Sequence, residues 1–124
     1  MPRVVHFEVT AENPERAARF YGEVFGWKFE KWSGGPMEYW MINTGEDKTP
    51  GINGGLSRRE GGKPANTVNT VDVPSVDEYS TKVGKSGGKV IMPRMPIPSV
   101  GYFALCQDTE GTTFGILQFD EKAK

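Results

Sequence analysis

Residues 4–27 decide the fold, and they read VVHFEVTAENPERAARFYGEVFGW. The first six residues alternate between an apolar face and a mixed face, which is typical of a half-buried strand. Asn13-Pro14 then predicts a helix start, because Asn accepts a hydrogen bond from the first turn and Pro suits the first helical position. Apolar residues at three- and four-residue spacing predict an amphipathic helix over 14–25. Gly26 is a typical residue just past such a helix.

The same order of elements returns in the second half of the chain. Three matches show the repeat, at offsets of 64, 62 and 63 residues: Phe7-Glu8-Val9 with Val71-Asp72-Val73, Gly26 with Gly88, and residues 39–42 with 102–105. The shared order of elements supports an internal duplication. The predicted fold is α+β, a single domain of two tandem βαβββ modules over about 1–57 and 66–119. We expect the modules to form a cupped sheet with helices outside and a ligand cavity inside.

Two local features of the second module carry their own predictions. Pro93–Pro98 contains three prolines after a strand over 89–92, and this pattern predicts a rigid loop. Such a loop at a cavity mouth would serve as a lid, as a dimer contact or as an ordinary connector. Cys106 lies mid-strand among apolar neighbours, so we expect a buried, unreactive thiol.

The composition excludes several classes of protein. One Cys in 124 residues excludes a disulfide framework and a thiolate metal cluster within one chain. The balance of 15 Lys+Arg against 16 Asp+Glu gives no electrostatic footprint for nucleic acid or an anionic membrane. No segment approaches the roughly 20 apolar residues of a membrane span, and the first residues do not resemble a signal peptide. We therefore expect a cytoplasmic protein with a small-molecule ligand and neither nucleic-acid nor membrane partners.

The chain resembles the glyoxalase / bleomycin-resistance / extradiol-dioxygenase superfamily, the vicinal oxygen chelate fold. Four stretches carry the resemblance: His6–Val9, Asn13–Tyr21, Val24–Trp27, and the turn Asp108–Gly111 with Phe114–Leu117. The likeness covers nearly the whole chain and implies two βαβββ modules, which agrees with the duplication. Small members of this fold often bury open sheet edges in a twofold interface, so the resemblance also implies a homodimer.

The resemblance tests the chain for a metal site, because metal-using members place four His or Glu ligands at paired strand positions. These positions fall on His6, then on Ile42 or Asn43, then on Thr70 and Gly115. A divalent ion held by one imidazole and one amide would be bound weakly. We therefore expect a small-molecule-binding protein without the metal centre and without a cofactor. The alternative left open is a glyoxalase- or dioxygenase-like metalloenzyme with a rearranged divalent-metal site anchored on His6.

His6 and Glu8 allow further interpretations. They share a strand face at a spacing of roughly 6.8 Å, and with Asp72, the counterpart of Glu8 at an offset of 64, they form a conceivable His/Glu/Asp metal set. His6 is otherwise either a general acid–base or a hydrogen-bonded cavity residue. Glu8 and Asp72 form either an acid pair or bonds to neighbouring strands and water. The predicted ligand-binding residues are His6, Glu8, Asn43, Thr70 and Asp72.

Overall fold

The computed structural model describes residues 1–33 and 38–124. The turn that the sequence predicts over 33–36 lies, from residue 34 onward, outside the described residues. The elements follow in this order: β1 (Val4–Ala11), α1 (Pro14–Phe25), β2 (Lys28–Lys31), β3 (Tyr39–Asn43), β4 (Asn53–Arg58), β5 (Thr67–Asp72), α2 (Val76–Lys85), β6 (Lys89–Ile97), β7 (Gly101–Gln107) and β8 (Thr113–Phe119). The chain divides into a first unit, His6–Thr67, and a second unit, Met1–Val5 with Val68–Lys124. The prediction of an α+β fold built from two βαβββ modules is confirmed.

The first unit is a sheet in the order β2-β3-β4-β1, with β1 parallel to β4 and the other pairs antiparallel. Helix α1 begins after Asn13, whose side chain accepts a hydrogen bond from the Arg16 amide, and it ends at Gly26 with a φ of 74°. Its apolar side covers one sheet face, where the core comprises Trp40, Ile42 and Leu56 with Phe7, Val9, Ala11, Ala17, Ala18, Trp27 and Phe29. Strand alternation therefore places His6 and Glu8 on the face opposite α1.

The second unit repeats this arrangement with strands in the order β5-β8-β7-β6. Ser75 is the N-cap of α2, and its hydroxyl accepts a hydrogen bond from the Glu78 amide at 3.1 Å. The buried core comprises Val73, Val76, Ala104, Cys106 and Ile116. The prediction for Cys106 is confirmed in its burial, and burial raises the pKa of this thiol above its ordinary value. Neither helix of the described residues is long and apolar enough to cross a membrane.

The prediction of a loop at Pro93–Pro98 is wrong, because most of this segment continues strand β6 to Ile97. The pairing of β6 with β7 shifts register between Val90 and Met92 and again between Met92 and Met95. Strand β6 lies at the end of the sheet order, and an edge strand tolerates proline because its outward amides have no partner to lose. The proline run is therefore part of an irregular edge strand.

The offset of 64 residues between the first strands of the two units is also wrong. The helix N-caps, Asn13 and Ser75, lie 62 residues apart. In each unit a glycine of the last strand lies opposite the first strand, and it faces Glu8 in the first unit and Thr70 in the second. Thr70, rather than Asp72, is therefore the counterpart of Glu8. A slip of two residues keeps every side chain on its own face, so residue alternation does not reveal it.

Candidate functional site

Three polar side chains meet on the face of the first unit's sheet that lies opposite α1. His6 and Glu8 come from β1 and Tyr39 comes from β3, the strands on either side of β4. The Tyr39 hydroxyl donates a hydrogen bond to Glu8 Oε1 at 2.7 Å. His6 Nε2 lies 3.0 Å from the same carboxylate oxygen and 3.1 Å from Tyr39 Oη. We refer to these three residues as the polar cluster.

Gly55 of β4 makes this meeting possible. It lies opposite Glu8 in the β1–β4 ladder and opposite Met41 in the β3–β4 ladder. A β-carbon at this position would overlap the Oη and Cζ atoms of Tyr39. The phenol therefore reaches across β4 to β1 only because residue 55 has no side chain. The ring of Trp32 packs edge-on against the Tyr39 ring, with 6.0 Å between the ring centroids.

The polar cluster is partly withdrawn from water. The side chains of His6 and Glu8 keep 31% and 29% of their accessible surface. Burial, together with the neighbouring Glu8 charge and its hydrogen bond, raises the pKa of Tyr39 well above its ordinary value. Tyr39 is therefore a neutral phenol throughout the physiological pH range, and its hydroxyl proton remains available to Glu8.

The structure places Asn43 apart from the polar cluster in its contacts. Its side-chain oxygen accepts a hydrogen bond from the Gly45 amide at 3.1 Å. Asn43 lines an open cleft of about 540 Å³ together with Gly26, Lys28, Thr44, Gly45, Glu46 and Asp47, and His6 does not line it. The other candidate for the second ligand position, Ile42, is 2% exposed in the core beneath α1. No residue of this pair hydrogen-bonds to His6 in the described chain.

Thr70 and Asp72 are engaged in contacts within the second unit. Thr70 is 2% exposed. Its hydroxyl oxygen would lie 3.1 Å from a β-carbon on Gly115. Asp72 Oδ1 accepts a hydrogen bond from the Arg3 amide at 2.6 Å, and the Asp72 amide donates to the Arg3 carbonyl at 2.9 Å. Of the predicted site residues, the structure therefore joins His6 and Glu8 by a direct hydrogen bond.

The residues present do not fit a divalent metal. If one ligand position falls on Gly115 of β8, the internal repeat places its counterpart on Gly55 of β4 rather than on β3. Neither glycine offers a donor, and an aromatic ring of the preceding strand occupies the space above each, Tyr39 in the first unit and Phe103 in the second. Within residues 1–33 and 38–124, no three His, Cys, Asp or Glu side chains are grouped as ligands.

Sequence reasoning missed Tyr39, although two signals pointed to it. Alternation along β3 puts Trp40 and Ile42 in the core, so Tyr39 and Met41 lie on the face that carries His6. A glycine in the middle of a strand often marks a place where another group approaches closely, and Gly55 is such a residue. The sequence alone does not tell which neighbouring side chain fills that space.

Comparison with known proteins assigns the chain to a family. The sequence pattern of the Glyoxalase/Bleomycin resistance protein/Dioxygenase superfamily matches residues 3–116. A glyoxylase-like domain-containing protein of Didymella fabae is 31% identical over 114 residues, which are 88% of each chain. The chain therefore belongs to the glyoxalase/bleomycin resistance protein/dioxygenase superfamily.

Solved structures share the fold at low sequence identity. A hypothetical protein from Bacillus halodurans C-125 is 14% identical with a TM-score of 0.71, and the match covers 98% of this chain and 97% of the other. A Streptomyces coelicolor methylmalonyl-CoA epimerase variant in complex with 2-nitronate-propionyl-CoA is 14% identical with a TM-score of 0.66, covering 100% and 99%. At these identities the likeness establishes the fold alone.

Proposed function

We propose that this chain is a small-molecule-binding member of the superfamily that works without the usual metal centre, with the polar cluster as the anchor for its ligand. One observation carries the proposal. His6, Glu8 and Tyr39 lie within 3.1 Å of one another on the sheet face opposite α1, and the side chains of His6 and Glu8 keep about a third of their surface exposed. A few placed polar groups on a strand face are what a small-molecule site requires.

The surroundings of the polar cluster support a ligand with an apolar body. Met41 is 42% exposed and lies in the same cross-strand row as Gly55 and Glu8. Trp32 packs against the Tyr39 ring from β2's end of the sheet. Binding sites for small molecules combine mostly apolar lining with a small number of polar groups that fix orientation. The exposed thioether and the aromatic rings supply the former, and the polar cluster supplies the latter.

The donor set supports the absence of a metal centre. Glycines occupy two of the positions at which metal-using members of the superfamily place ligands, and Thr70 occupies a third. His6 Nε2 is already within hydrogen-bond distance of two oxygen atoms of its own unit. A metal on this nitrogen would have to replace both contacts, which makes the nitrogen a poor starting point for coordination.

Metal analysis tests this proposal against the metalloenzyme alternative, which draws on the 3.0 Å approach of His6 and Glu8, two potential ligands. Purified protein is treated with chelator, dialysed, and incubated separately with Zn²⁺, Ni²⁺, Mn²⁺ and Fe²⁺ before elemental analysis and thermal unfolding. We expect no stoichiometric uptake and an unchanged melting temperature. One ion retained per chain, and lost in His6→Gln, would establish the metalloenzyme instead.

A fragment screen tests the location of the site. We expect aromatic fragments that raise the melting temperature of the wild type to lose this effect in Gly55→Ala, because the new β-carbon displaces the Tyr39 ring. Gly61→Ala is the matched control, since a β-carbon there meets nothing within 4 Å. Fragments that stabilise the wild type and Gly55→Ala equally would place the ligand elsewhere.

A further inference from the structure

The hydrogen-bond geometry of the polar cluster fixes where the protons lie. The Tyr39 hydroxyl has one proton, and it is donated to Glu8 Oε1 at 2.7 Å. An ionised carboxylate only accepts hydrogen bonds. His6 Nε2 faces this carboxylate oxygen at 3.0 Å and the Tyr39 oxygen at 3.1 Å. Because neither oxygen has a proton left to give, Nε2 must be the nitrogen that carries one.

The other ring nitrogen is then the free acceptor of the imidazole. In neutral histidine one nitrogen donates and the other accepts, so a proton on Nε2 leaves a lone pair on Nδ1. Nδ1 makes no hydrogen bond to any residue in the described part of the chain, and the His6 side chain keeps 31% of its surface exposed. A histidine whose tautomer is held by a carboxylate presents a defined acceptor to a ligand.

We infer that His6 Nδ1 is the ligand-binding atom of the polar cluster, that Glu8 is the positioning residue that holds His6 in the Nε2–H tautomer, and that the ligand is a small, flat, apolar molecule with a neutral hydroxyl group of the phenol or enol type. This inference rests on the proposed function and adds the chemical class of the ligand. A hydroxyl donor matches a lone pair on Nδ1, whereas an ether or a ketone of the same shape brings no proton to it.

The roles of Glu8 and Tyr39 in this arrangement differ. Glu8 offers the acceptor that determines which ring nitrogen is protonated. Tyr39 donates to the same oxygen and thereby orients the carboxylate toward His6. Removing the Tyr39 hydroxyl leaves the Glu8–His6 hydrogen bond in place. Replacing Glu8 by Gln presents an amide N–H₂ to Nε2, which then becomes the acceptor and sends the proton to Nδ1.

The single histidine makes the tautomer directly measurable. A long-range ¹⁵N–¹H correlation spectrum of uniformly ¹⁵N-labelled protein at neutral pH contains the ring nitrogens of His6 only. We expect the wild type and Tyr39→Phe to show Nε2–H, and Glu8→Gln to show Nδ1–H. A wild-type spectrum with Nδ1–H overturns the inference, and so does a tautomer that Glu8→Gln leaves unchanged, since a merely structural Glu8 would not move it.

Binding of matched probes tests the ligand class. The probes are 2-naphthol and its methyl ether, 2-methoxynaphthalene, followed by fluorescence titration. We expect 2-naphthol to bind the wild type about tenfold more tightly than the ether, which is the size of one good hydrogen bond. His6→Gln should abolish this preference without unfolding the chain, because the Gln amide reaches the Nε2 position and can still donate to Glu8. Glu8→Gln should abolish it as well, whereas Tyr39→Phe should retain part of it.

The outcomes separate this inference from the proposed function. Equal affinity of the wild type for both probes, or failure of both to bind, overturns the ligand class. The proposed function is decided independently, by metal analysis and by the fragment screen with Gly55→Ala. Stoichiometric metal on His6 would overturn both proposals. A fragment that binds at the polar cluster without any hydroxyl preference would overturn the inference and leave the proposed function standing.

Discussion

Gly55→Ala perturbs the polar cluster with the smallest possible change, the addition of one methyl group. The new β-carbon would overlap Tyr39 Oη and Cζ, so the phenol ring must swing out of its place. This movement breaks the 2.7 Å hydrogen bond to Glu8 and the 3.1 Å contact with His6. At about 1 kcal/mol for each hydrogen bond, the free energy of unfolding should fall by about 2 kcal/mol.

The assay is a double-mutant cycle read by thermal and denaturant unfolding. For a chain of 124 residues, about 2 kcal/mol corresponds to a fall in melting temperature of roughly 8 °C. In the Tyr39→Ala background the ring is gone, and Gly55→Ala should then be neutral or slightly stabilising, because Ala loses less backbone entropy than Gly. The coupling between residues 39 and 55 should therefore account for most of the loss.

The control variant is Gly61→Ala, whose β-carbon meets nothing within 4 Å, and it should change the free energy of unfolding by less than about 0.5 kcal/mol. The reasoning is refuted if Gly55→Ala is as stable as Gly61→Ala. It is equally refuted if Gly55→Ala costs as much in the Tyr39→Ala background as in the wild type, because the loss would then arise from the backbone of β4 rather than from the ring.

Three further predictions follow from other parts of the molecule. Arg58 donates two hydrogen bonds to Glu38 and holds the pKa of this carboxyl below its usual value of 4.5. The lowered pKa means that the contribution is present above pH 4.5 and is lost as the pH falls through the folded-state value. The melting-temperature difference between wild type and Glu38→Gln should therefore shrink in acid, and a constant difference would contradict this. Cys106 should not react with a thiol reagent in the folded chain but should react fully in denaturant; rapid reaction of the native protein would show that the thiol is accessible. The homodimer remains a prediction, and sedimentation at micromolar concentration should give twice the chain mass of 13.7 kDa rather than the chain mass itself.

Local signals predicted the elements well where each signal acts within a few residues. Asn13-Pro14 and Gly26 mark the ends of α1 in the structure as they do in the sequence, and the last strand, Thr113–Phe119, was predicted with its observed bounds. Caps and alternation depend on the neighbouring backbone alone, so they survive without tertiary information. The modular order follows from the same local signals taken twice.

Signals that depend on position within a sheet were harder to interpret. The prolines of β6 predicted a loop, but they lie in an edge strand, and edge status is a tertiary property. The repeat was aligned two residues away from its structural register at the first strand, because alternation is blind to a shift of two. This slip paired Glu8 with Asp72, whereas the ladders pair it with Thr70.

The polar cluster shows which part of a site can be predicted from sequence. His6 and Glu8 were identified from their shared strand face, since that relation is local. We expected side chains two residues apart to diverge, but they converge on one hydrogen bond of 3.0 Å because Tyr39 engages the same carboxylate oxygen. That third residue lies 31 positions from Glu8, and its approach depends on the missing side chain of Gly55.

The most direct test of the account is the ¹⁵N–¹H spectrum of the single histidine before and after one equivalent of Zn²⁺ is added to chelator-treated protein. The account predicts a His6 ring in the Nε2–H form, held by Glu8, whose nitrogen resonances do not move when zinc is added. A ring protonated on Nδ1, or an Nε2 resonance that shifts until one zinc ion per chain is bound, would contradict it.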